Sequence, residues 1–178
     1  KNMKIADYIK SLIILNKGMY KNNLTVEEIG LPLEGSTKNF RADVYDINIK
    51  EEKITIFEVK SSKQDFDTDF KKGKYLNYLL YCDYLYFCVH IDLYKYVHEM
   101  LFENPDDSLN DLNKNIGIYI INDLGLFKCM KKAKKSEFFN LKENEIQKII
   151  NKVNTQLKYR YYRIHENKIK EYKKNVFK

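Results

Sequence analysis

Between Phe40 and Ser62, apolar and polar residues alternate with a period of two on either side of the polar run Lys50, Glu51, Glu52. The alternation predicts a β-hairpin. Arg41, Asp43, Tyr45, Ile47 and Ile49 fall on one face of its first strand, and Ile54, Ile56, Glu58 and Lys60 on one face of its second. A turn centred between Lys50 and Glu51 sets Asp43 opposite Glu58, whereas a centre one residue later sets it opposite Lys60. Either register gathers Asp43, Glu58 and Lys60 on the face that carries the isoleucines. Charges on an inward face cost free energy unless they are paired or hold a metal.

The rest of the chain supplies partners for the hairpin. Residues 4–17 place Ile5, Ile9, Leu12 and Ile13 on one side, with Gly18 to stop a core-packing helix. Leu24 to Leu33 reads as a strand with Ile29, Leu31 and Leu33 inward, followed by a loop over Gly35 to Asn39. Ser61 to Lys74 has only Phe66 and Phe70 as apolar residues and reads as a polar connection, with Asp65 placed to cap the next helix. Tyr75 to Tyr81 is helical in pattern. Tyr84 to His90 is apolar on both faces, which predicts a central strand. A helix over 92–102 ends at Asn104 to Ser108, and Asn115 to Asn122 and Leu124 to Met130 alternate as two strands joined around Asp123. From Glu143 to Asn175, Ile146, Ile149, Ile150, Val153, Leu157, Tyr161 and Ile164 repeat at steps of three and four, predicting one long amphipathic helix. The expected organisation is a single domain, an α/β core over 1–140 with a basic helix over 141–178 packed on it. That helix also offers a surface for a homodimer.

Composition narrows the partner. A chain of 178 residues with 44% hydrophobic residues builds a real core, which excludes disorder. Its net charge is +7, and residues 141–178 hold 11 Lys or Arg against 4 Glu, so the tail accounts for the whole surplus. Such a balance suits a polyanion. The run Lys158-Tyr159-Arg160-Tyr161-Tyr162-Arg163 sets aromatic rings between cations, as phosphate contacts and base stacking require; a solvated helix face is the alternative. Cys82, Cys88 and Cys129 form no zinc or disulfide pattern, so a reducing, cytoplasmic setting is expected. The apolar runs are too short to span a bilayer, and no membrane partner is expected.

The hairpin residues carry the chemistry. Two carboxylates about one strand spacing apart can share a hard divalent cation, and the carbonyl of Val59 between Glu58 and Lys60 offers a third oxygen. Lys60, two residues beyond Glu58, points the same way and can orient an attacking water. Together these residues suit phosphodiester hydrolysis. The plainer reading is a solvated hairpin end with cross-strand ion pairs.

The flanks weigh against that plainer reading. Arg41-Ala42-Asp43-Val44, Ile56-Phe57-Glu58-Val59-Lys60-Ser61-Ser62, Asp65-Phe66 with Asp69, and Tyr78 followed by Tyr81-Cys82-Asp83 and Leu85-Tyr86-Phe87 resemble the PD-(D/E)xK nuclease superfamily, and more narrowly its MmcB-like type. The likeness covers about residues 40–90. The residue before Asp43 is Ala42, where the superfamily commonly has proline. The resemblance implies a restriction-endonuclease-like core, a mixed β-sheet flanked by helices, acting as a Mg²⁺-dependent DNA endonuclease in repair or processing. Mn²⁺ is an expected substitute. It makes Asp43 and Glu58 the metal ligands, with the Val59 carbonyl beside them, and Lys60 the group that positions water. The superfamily often adds an acidic residue from the Leu24 to Leu33 region, which makes Glu27, on the inward face with Ile29, Leu31 and Leu33, an extra candidate. Glu28 is the alternative, and a solvated glutamate is the plainer reading. Ser62, Lys71 and Lys74 near the cleft, and Lys158, Arg160 and Arg163 on the tail, are the expected DNA contacts. A nuclease fold that only binds DNA or recruits a partner is the competing expectation.

Overall fold

The computed structural model describes residues 4–18, 20, 22–31, 40–103, 110–139 and 141–176; side chains of Phe40, Asn110 and 171–176 are outside that description. Two compact units emerge, Lys1–Leu141 and Lys142–Lys178. The first contains a mixed sheet of six strands in the order β1-β2-β3-β4-β5-β6. The strands are β1 (Asn23–Leu31), β2 (Phe40–Asn48), β3 (Lys53–Lys60), β4 (Tyr84–His90), β5 (Gly117–Ile121) and β6 (Phe127–Lys131). β1, β2 and β3 form an antiparallel meander, β3, β4 and β5 run parallel, and β6 returns antiparallel. The chain is thus α/β, and β4 is central, as its two apolar faces predict.

Helices cover both faces of the sheet. α1 (Ile5–Gly18) sets Ile9 and Ile13 against Val44, Phe57, Val59, Cys88 and Ile121. On the opposite face α2 (Lys63–Lys71) and a 3-10 helix over Lys74–Leu80 carry Phe66, Phe70 and Tyr75 to Phe87, with ring centroids 5.3–5.8 Å apart, and α3 (Ile91–Phe102) sets Tyr96 against Phe66. A short helix α4 (Asn110–Asn113) precedes β5, and Tyr75 donates its hydroxyl to the buried Asn113 amide oxygen at 2.7 Å. The second unit is one helix, α5 (Glu143–Val176), of the extent its periodicity predicts.

Three expectations change. The segment expected to be a polar connection folds as α2, because its start is capped by polar side chains rather than announced by apolar ones. Ser62, and not Asp65, is the N-cap, and its Oγ accepts the Asp65 N–H at 3.2 Å. Asp65 reaches back to the Ser61 N–H at 3.0 Å, a reciprocal arrangement close to a capping box. The pattern over Tyr75 to Tyr81 forms a 3-10 helix, entered through Gly73 at φ 59°, a left-handed conformation that glycine adopts without a Cβ clash. The expected breaks at Gly35 to Asn39 and Asn104 to Ser108 lie outside the described residues.

Candidate active site

The hairpin register is set by its turn. Asn48 pairs with Lys53 and Val44 with Phe57, so Asp43 faces Glu58, the first of the two expected registers. Beyond Val44 the Val59 N–H donates to Asp43 Oδ2 at 2.9 Å, so a side chain takes up a backbone donor where the described pairing stops. This bond fixes the Asp43 carboxylate. The same register logic on β1, where Glu27 pairs with Val44 and Ile29 with Ala42, sets Glu28 opposite Asp43. Glu28, Asp43 and Glu58 therefore form a row across three adjacent strands. Glu28 has a φ of 59°, a conformation rare for a residue with a Cβ and costly to hold. Alternation along the strand favours Glu27 for the site, yet it is Glu28 whose side chain meets the site's cations, through Lys10 and Arg41.

Cations are threaded between these acids. Lys10, from the core-facing side of α1, is only 8% exposed. Its ammonium contacts Glu28 and lies 3.2 Å from Asp43 Oδ1. Burial pushes the Lys10 pKa down, but the bonds and charges of Glu28 and Asp43 raise it beyond that, so the group stays charged. Arg41 Nε reaches Glu28 Oε2 at 2.5 Å. Lys60, 2% exposed, lies 3.0 Å from Glu58 Oε1 and also contacts Asp69 on α2. Its pKa is likewise raised: burial works against the charge, and Glu58 and Asp69 outweigh it. A lysine held in this way donates hydrogen bonds and stabilises negative charge rather than abstracting a proton.

Glu58 is the strained member. Burial first, then the neighbouring Asp43 charge, push its carboxyl up to about 7, while Lys60 holds it from rising further. Its Oε2 is buried without a hydrogen-bond partner. Tyr78, on the 3-10 helix, is close enough for Glu58 to raise its pKa after burial has done so, and donates its hydroxyl to the Arg41 carbonyl at 2.8 Å.

These groups, apart from Glu28 and Tyr78, line one cleft of about 650 Å³, formed by Ala6, Lys10, Arg41, Asp43, Glu58, Val59, Lys60, Asp65, Asp69 and Lys74. It opens at the end of β3 where the chain enters α2, the carboxyl end of parallel strands at which α/β sheets bind ligands. Among the described residues no group of three or more His, Cys, Asp or Glu side chains is arranged to hold a metal ion. A cation between Asp43 and Glu58 would therefore draw further ligands from backbone, water or substrate. The lone Glu58 Oε2, opposite a carboxylate oriented by Val59, fits such an ion.

Not every expected residue reaches the cleft. Asp43, Glu58, Val59, Lys60 and Lys74 line it, with Lys74 3.8 Å from Asp69. Ser62 and Lys71 lie exposed near opposite ends of α2 and do not line it. Lys158, Arg160 and Arg163 are on α5, in the other unit. Lys10 was not expected there, and Asp69, though among the residues that carry the resemblance, was given no role in the site. The signal for Lys10 was a lysine between Ile9 and Ile13 on an apolar helix face; for Asp69, its place on the inward side with Phe66 and Phe70.

A carboxylate on one hairpin strand facing the Glu-x-Lys of the next, within a mixed α/β sheet, is the arrangement that the superfamily resemblance implies. Residues 19–104 match the model of a family described as DNA repair protein MmcB-like, which is the family to which the motif pointed. That segment holds Glu28, Asp43, Glu58, Lys60 and Asp69. In the solved structures, the SPO1766 protein of unknown function from Silicibacter pomeroyi is similar at a TM-score of 0.55 and 23% identity. The likeness covers 86% of this chain and 85% of that one, and at this identity it bears on the fold. No curated protein matches the chain. None of the described helices is long and apolar enough to cross a membrane.

Proposed function

We propose that this chain is a metal-dependent DNA endonuclease of the PD-(D/E)xK type that hydrolyses phosphodiester bonds during DNA repair or processing. The observation that carries the reading is the buried, unpartnered Glu58 Oε2 beside the oriented Asp43 carboxylate, in a cleft that also presents Lys10, Arg41, Lys60 and Lys74. The match to a DNA repair family supports DNA as the partner. Asp43 and Glu58 would hold Mg²⁺ or Mn²⁺, with the Val59 carbonyl as a further oxygen. The ion when bound would polarise the phosphoryl group and lower the pKa of water.

The protein's own groups do the rest. Asp43 is held in place by the Val59 N–H, so little reorganisation is needed when the cleft fills. Lys60, charged and anchored by Glu58 and Asp69, donates to the attacking water or to a phosphate oxygen. Lys74 and Arg41 at the rim attract the backbone. The direct test is DNA cleavage with Mg²⁺ or Mn²⁺ by the native protein and by Asp43→Asn, with chelator as control.

A second reading, a nuclease fold that holds DNA without cutting it, draws on α5. There Tyr159, Tyr161 and Tyr162 are each about two-thirds exposed, and Lys158 and Arg163 are exposed beside them. Such a binder would hold DNA equally well in chelator and would cut nothing.

A further inference from the structure

We infer that the cleft takes a single divalent cation, between Asp43 and Glu58, because the Lys10 ammonium fills the second cation position between Glu28 and Asp43. The inference rests on the cation site proposed above. The register of the neighbouring pairs, Glu27 with Val44, Ile29 with Ala42 and Val44 with Phe57, sets Glu28, Asp43 and Glu58 opposite one another on β1, β2 and β3. Opposed residues on neighbouring antiparallel strands stand about 5 Å apart, so the row has two interstices, each wide enough for a cation shared between carboxylates. Hydrolytic sites with two metal ions use spacings of this order, about 4 Å between ions.

The two interstices differ in what they hold. Between Glu28 and Asp43 sits the Lys10 ammonium, 3.2 Å from Asp43 Oδ1 and in contact with Glu28. Lys10 is nine-tenths buried, and its neighbours Ile9 and Ile13 in α1 are fully buried against the sheet, so the helix that carries the ammonium is fixed in place. Towards Glu58, the Lys60 ammonium takes Oε1, and Oε2 of this cleft-lining residue is left buried and without a hydrogen-bond partner. A mobile ion has an open donor there, and at the other position it would have to displace a tethered one. Lys10 thus supplies positive charge to Asp43 at no cost in ion binding, and the strained backbone at Glu28 is retained because Glu28 anchors that charge.

The test counts ions without reference to cleavage. Mn²⁺ is titrated into the full chain, with bound ion counted by the loss of the free-ion paramagnetic signal and by calorimetry. The native protein is expected to bind one Mn²⁺ per chain, Lys10→Met two, and Lys10→Met with Glu28→Gln one again. Lys10→Arg, which keeps the cation, is expected to bind one. Should Lys10→Met not fold in chelator, Lys10→Gln is measured in its place. Two ions on the native protein, or one on a folded Lys10→Met or Lys10→Gln, overturns the role of Lys10 and leaves the Asp43 and Glu58 site standing. No ion on the native protein overturns the site itself and the inference with it.

Discussion

Asp43 accepts the backbone N–H of Val59 at 2.9 Å, so the first expected ligand is oriented by the strand that carries the second, Glu58. Asparagine at position 43 retains an acceptor for Val59 but loses the charge. Asp43→Asn should therefore melt within a few degrees of the native protein while binding Mn²⁺ more than about 100-fold more weakly. Thermal unfolding and ion titration check the two halves separately.

Glu58 and Lys60 are both buried and 3.0 Å apart, so their contributions are coupled. Lys60→Met leaves Glu58 and Asp69 without their ammonium and should destabilise the fold by about 3–5 kcal/mol. Adding Glu58→Gln should recover at least about 1 kcal/mol. Denaturant titration of the four proteins in chelator measures the coupling; strictly additive losses would mean that the pair is independent.

The Glu58 carboxyl titrates near 7 in the folded chain, against an ordinary value of 4.5. Between those values the folded state keeps a proton that the unfolded state has released. Stability of the ion-free protein should thus fall as pH rises from 4.5 to 7, by on the order of 3 kcal/mol, and Glu58→Gln should remove that slope. Mn²⁺ competes with the same proton, so its affinity should rise across the same range. Unfolding curves in chelator at pH 5, 6, 7 and 8, with parallel ion titrations, check both signs.

A remote control separates fold from site. A methyl group at Gly117 on β5 would stand 2.2 Å from the Tyr86 ring and 2.7 Å from the Ala133 nitrogen. Gly117→Ala should cost about 1–3 kcal/mol and leave ion stoichiometry unchanged in the folded fraction.

The backbone contacts are separable by salt. Lys74→Gln, at the cleft rim, should lower the slope of log affinity against log salt by about 1 in chelator, and replacing Lys158, Arg160 and Arg163 with glutamine by about 3 if all three touch phosphate. Binding isotherms at several salt concentrations decide which of the two surfaces holds DNA; an unchanged slope in either variant removes those residues from the interface.

Distance along the chain separates the legible part of the molecule from the hidden part. The hairpin was legible because a period of two fixes which face each residue takes, and the short polar turn left two registers to choose between. Asp43, Glu58 and Lys60 were therefore found together. Lys10 and Asp69 reach the same cleft from two other elements, with Glu28 paired to Lys10 and Arg41 beside it, and only tertiary packing brings them there. The outline of α1 was clear, yet Lys10 was obscured by the apolar stripe that it interrupts. α2 was missed as a helix because two apolar residues give almost no periodicity, while its start depends on the reciprocal hydrogen bonds of Ser61, Ser62 and Asp65. Glu28 and Glu27 are neighbours, and which of them faces Asp43 depends on the register of β1 against β2, which the sequence of β1 does not announce.

Asp43, Glu58 and Lys60 are proposed to form a site that cuts DNA. That activity is tested most directly by incubating supercoiled, linear, single-stranded and branched DNA with the native protein and with Asp43→Asn in Mg²⁺ or Mn²⁺. Cleavage of at least one substrate by the native protein, abolished by chelator and by Asp43→Asn with the fold intact, is the result predicted. Salt-sensitive DNA binding that is the same in both proteins and in chelator, with every substrate left whole, would contradict it and make the protein a binder.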